Sequence, residues 1–116
     1  GNLLTRDKAR FQKTHAFIAR DPRLALGNPT FAWINAAFDS INRLAEPLVI
    51  ERIRVPVLIF RAGQDHIVSN PAQERLCRAL PDARLVDVDE AKHEILNETD
   101  AVRDAFWREA DAFLGR

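Results

Sequence analysis

The 116 residues of the chain are enough for one small domain and no more. With 47% hydrophobic and 29% charged residues it has a globular composition, and its net charge of zero gives no pull toward nucleic acid or an anionic membrane. One cysteine, Cys77, excludes an internal disulfide and a cysteine-based metal site, and the scattered His15, His66 and His93 share no ligand spacing, so no metal or other cofactor is expected.

The start, Gly1 to Asp7, is too polar for a secretory signal. No apolar run approaches the roughly 20 residues that span a bilayer, so a cytoplasmic protein is expected. The chain contains no methionine, and Gly1 reads as a processing scar with the natural start further upstream. Asp7 caps a helix whose apolar positions Phe11, His15 and Ile18 repeat at helical period until Asp21-Pro22. His15 reads as a packing histidine on that face. Gly27-Asn28-Pro29 is a turn, with Asn28 as the cap of a second helix and Pro29 at its first position. Ile34, Phe38, Ile41 and Leu44 carry this helix to Pro47.

The period then changes. Val55 to Phe60 is a continuous apolar run rich in β-branched residues, as in a strand buried on both faces of a parallel sheet. It breaks at Ala62-Gly63-Gln64-Asp65. Asn70 and Gln73 form a capping box around Pro71, opening a helix with Leu76 and Leu80 on one face and Pro81 as its stop. Cys77 on this helix reads as a small core residue. Arg84 to Asp89 alternates as a second strand. A last helix begins near Thr99, buries Val102, Phe106, Ala110 and Phe113, and ends at Gly115. The expected fold class is α/β, a βαβα unit behind a helical arm.

Asp65 follows the carboxyl end of the first strand and His93 that of the second. Parallel neighbours open both loops on one edge, where open α/β sheets gather their reactive groups. An Asp that accepts from one imidazole nitrogen leaves the other to take a proton from a nucleophile. Each residue also has a plain alternative: Asp65 as a turn aspartate bonding its own backbone, His93 as a surface histidine. His66 reads as a solvated neighbour. Glu94, Glu98 and Asp100 read as negative charge favoured at a helix N-terminus.

The stretch Val55 to Asp65 resembles the strand and acid of the α/β-hydrolase family, and Ala91-Lys92-His93-Glu94-Ile95-Leu96 resembles its histidine loop. Asn2 to Thr5, Arg10-Phe11, Gly27 to Trp33 and His93 to Glu98 are similar to the lysophospholipase and monoacylglycerol-lipase-like branch, of serine-aminopeptidase type. The resemblance implies a C-terminal portion of that fold, with residues 1–52 the tail of a helical cap and residues 53–116 part of the core. It implies Asp65 as catalytic acid, His93 as catalytic base and a lipid-like ester as substrate, which places the parent protein in lipid metabolism. The aromatics of the first two helices then either line an acyl-chain tunnel or serve as simple core.

The family's nucleophile sits on a GxSxG elbow upstream of the acid. The chain has two serines, Ser40 and Ser69, and neither is flanked by elbow glycines. The 116 residues alone are therefore expected to be inactive, as a fragment of a serine hydrolase or, alternatively, a silent association module. The apolar strand also lacks a partner on one side, so self-association as a dimer is expected, pairing through the Val55–Phe60 edge or burying it with the Phe31–Leu48 helix.

Overall fold

The computed structural model describes residues 2–116; Gly1, read above as a scar, lies outside them. Helix α1 (Lys8–Arg20) starts where Asp7 accepts a hydrogen bond from the Arg10 N–H. A short 3-10 turn, Pro22–Leu24, follows. Helix α2 (Phe31–Leu44) is capped by Thr30, whose hydroxyl accepts from the Trp33 N–H, and not by Asn28. A four-residue helix α3 (Pro47–Ile50) completes the arm.

Strand β1 (Val57–Ala62) pairs in parallel with β2 (Ala83–Val88), from Val57 opposite Ala83 to Ala62 opposite Val88. The strand starts two residues later than the apolar run, because Pro56 has no N–H to give a ladder and Val55 is exposed. The crossover is α4 (Asn70–Ala79), and α5 (Asp100–Leu114) closes the chain with Gly115 at a left-handed φ of 71°. Alternation along β1 sends Phe60 and Arg61 to opposite faces. Phe60 packs against Phe106 of α5, their ring centroids 4.1 Å apart, while Arg61 reaches Glu74 of α4 at 4.0 Å. The strand pair is thus held between the two helices.

The cap of α4 is Ser69, which accepts from the Ala72 N–H. Asn70, expected in that role, instead turns its amide back to donate to the Ala62 carbonyl at 3.0 Å. It ties the start of the crossover helix to the end of β1.

The arm packs loosely. Phe31 is 93% exposed, Trp33 63% and Phe38 61%, which makes α2 an open apolar face and not a core element. His15 is exposed as well, edge-on to Phe11, and Cys77 is half-buried. The radius of gyration is 16.6 Å, against about 13 Å for a compact domain of this length. Among the described residues no helix is long and apolar enough to cross a membrane.

Candidate active site

The loops after β1 and β2 are laced together by backbone bonds. Gly63 donates to the Val88 carbonyl at 3.0 Å and Gln64 to that of Ala91 at 2.9 Å. Ala91 is fully buried beneath them. A Cβ on Gly63 would lie 2.5 Å from the Asp89 carbonyl oxygen, so only glycine lets the two backbones approach this closely. This crossing sets the height at which the next residues leave the sheet.

Asp65 is fixed twice. One oxygen, Oδ1, accepts from the N–H groups of Ile67 at 2.7 Å and Val68 at 3.1 Å. The other, Oδ2, meets Nδ1 of His93 at 2.9 Å. The carboxyl side chain is 3% exposed and the imidazole 33%. Burial pushes the Asp65 carboxyl up, but the Ile67 N–H, the His93 ring and the Val68 N–H together outweigh it and hold it below its ordinary value. The turn-aspartate and acid readings of the sequence are therefore compatible: the backbone bonds employ one oxygen and orient the other.

With Nδ1–H donated to the carboxylate, Nε2 carries the lone pair, and it makes no hydrogen bond among the described residues. An imidazole so held can accept a proton from a hydroxyl brought to Nε2 and return it later. Neither serine of the chain is available for that. Ser40 donates to the Ala36 carbonyl within α2, and Ser69 caps α4. His66 is exposed and makes no hydrogen bond among the described residues. Asp100 stands in the first turn of α5, as expected for helix-terminal charge, and pairs with Arg10 and Arg103. Glu98 departs from the expectation: it is fully buried and its carboxyl accepts from the backbone N–H groups of Arg6 and of Lys92. Its position before the cap Thr99, outside the helix proper, was the available signal.

Known proteins resemble this chain in sequence and in fold. The family model for serine aminopeptidase, S33, matches residues 1–100. The chain belongs to that family of α/β hydrolases. It is 37% identical over 113 residues to a probable lysophospholipase L2 of Haemophilus influenzae, covering 97% of this chain and 36% of that protein. It is 30% identical over 112 residues to lysophospholipase L2 of Escherichia coli K12, covering 88% of this chain and 32% of that one. Among solved structures, a soluble variant of monoglyceride lipase from Saccharomyces cerevisiae, in complex with a substrate analog, superimposes with a TM-score of 0.71. At 22% identity, covering 97% of this chain and 40% of the lipase, that likeness is one of fold. The chain spans about a third of the length of the curated relatives it matches, and its two parallel strands are a part of the α/β-hydrolase fold.

Proposed function

We propose that these residues supply the acid and the base of a serine hydrolase acting on lipid-like carboxylic esters, with the nucleophile provided by a segment outside them. Asp65 orients the imidazole. His93 takes the proton of the serine hydroxyl through Nε2 as the oxygen attacks the ester carbonyl, then delivers it to the departing alcohol. The acyl-enzyme is released by water, activated by the same nitrogen. Residues 1–52 serve as the end of the cap and residues 53–116 as part of the catalytic core. The observation that carries the reading is the 2.9 Å bond from a buried, doubly anchored carboxylate to an imidazole whose second nitrogen is unengaged. The names of the curated relatives favour a monoacyl phospholipid as the ester.

A second reading, a non-catalytic association module, draws on the exposed aromatics of α2 and on the two serines already committed to helices. One assay separates the two. A panel of p-nitrophenyl esters is offered to the 116-residue chain and to the longest polypeptide that carries it behind a GxSxG elbow. The hydrolase reading expects turnover by the longer polypeptide only. An inactive longer polypeptide favours the module, and His93-dependent turnover by the short chain would overturn the account of the nucleophile.

A further inference from the structure

The loop that carries His93 is held from outside the sheet, by the segment that precedes α1. The Lys92 N–H donates to Glu98 Oε1 at 3.0 Å, and the Arg6 N–H donates to the same oxygen at 2.9 Å. On the other side of His93, the Glu94 N–H donates to the Leu4 carbonyl at 2.8 Å. The Lys92 ammonium reaches the Asn2 carbonyl at 2.6 Å, and the Thr5 hydroxyl donates to Asn97 O at 2.7 Å. Asn2 stiffens its own segment, its side chain accepting from the Leu4 N–H at 2.9 Å and donating to the Thr5 carbonyl at 2.8 Å. Both residues that bracket His93 are thereby bonded into one clasp.

Glu98 is the centre of the clasp and an expensive residue to place there. It is fully buried, and its Oε2 has no hydrogen-bond partner among the described residues. Burying a carboxyl is costly unless it makes specific hydrogen bonds there. What it does supply is one acceptor for two backbone donors from segments far apart in the chain. An aliphatic side chain would leave both donors without an acceptor and the histidine loop without its tether.

Resting on the hydrolase reading above, we propose that Glu98 is a positioning residue for His93: by joining Lys92 to Arg6 it fixes the imidazole against Asp65. The clasp also links the segment leading into the cap helices directly to the histidine loop. A displacement of that segment would then be felt at the imidazole, because Leu4 and Arg6 bond the residues on either side of it. A misplacement of about 1 Å at a proton-transferring group lowers turnover by about 100-fold.

The test uses the complete polypeptide with a p-nitrophenyl ester. Glu98→Ala is expected to lower kcat by about 10- to 100-fold with KM within about twofold. The downfield proton resonance of the His93 Nδ1–H bonded to Asp65 should broaden or vanish with it. Glu98→Gln, whose amide oxygen can accept the same two N–H bonds, should restore kcat and the resonance. Should Glu98→Ala fail to fold, Glu98→Asp is read in its place, since the shorter acid reaches one donor and not both. A kcat within twofold of wild type in whichever variant folds would overturn the inference, as would a loss that follows the folded fraction or that Glu98→Gln does not rescue. His93→Ala is the control: if it stays active the hydrolase reading fails, whereas an active Glu98→Ala beside an inactive His93→Ala removes only the positioning role.

Discussion

Gly63 lies against the backbone of Asp89 so closely that a methyl group on it would stand 2.5 Å from the carbonyl oxygen and 2.6 Å from Cα. The atoms it would meet belong to the main chain and cannot rotate aside. Gly63→Ala is therefore expected to destabilise the protein by about 1–3 kcal/mol, the usual range for forced overpacking. It should also separate Asp65 from His93 by prising the two loops apart. Thermal or denaturant unfolding reads the first effect and the His93 ring proton the second. Wild-type stability in Gly63→Ala would show that the crossing is looser than described.

Asp65 makes stability depend on acid in a definite direction. Its carboxyl is held below its ordinary value of 3.8 in the folded protein. A depressed carboxyl contributes stability that is complete above the unfolded value and is lost as pH falls through the folded one. Asp65→Asn should be less stable than wild type at neutral pH, and the gap should narrow below about pH 4. Denaturant midpoints between pH 7 and pH 3 check this. A gap that stays constant or widens on acidification would mean that the carboxylate is not favoured by its partners.

Association follows from the edges. Among the described residues β1 has a strand on one side only, and two parallel strands are too few for a sheet that stands alone. Leu26, Phe31, Trp33 and Ile41 add a broad apolar surface, all more than half exposed. The isolated 116 residues are expected to self-associate, pairing through the free edge of β1 or covering it with α2. Sedimentation across a dilution series should show the mass falling with concentration. A concentration-independent monomer would contradict the expectation.

The sheet and the two helices that flank it were legible because their signals are local. Val57 to Phe60 is apolar without interruption, and Val102, Phe106 and Ala110 recur at helical period. The caps were less so. Ser69-Asn70-Pro71 and Asn28-Pro29-Thr30 each offer two capping residues beside a proline, which fits at the first or second helical position in the first case and at the first position or ahead of the cap in the second. Tertiary bonds decided the first case, since Asn70 is needed at the Ala62 carbonyl. The pairing of Asp65 with His93 was readable from loop order alone. The clasp was not: Glu98 and Thr5 are polar, so no hydrophobic period marks them as buried. The bonds that join the two segments, Thr5 to Asn97 and Arg6 to Glu98, each span 92 positions of the chain.

The roles proposed for Asp65 and His93 as acid and base are tested most directly by kcat/KM for a p-nitrophenyl monoacyl ester in the complete polypeptide. His93→Ala and Asp65→Asn are compared with wild type at equal folded fraction. With a serine nucleophile, losing the orienting carboxylate costs about 10⁴-fold and losing the base about 10⁶-fold. Falls of that order in both variants are the predicted result. Retention of activity within about tenfold in either one, with the 2.9 Å bond intact in the wild type, would contradict the account.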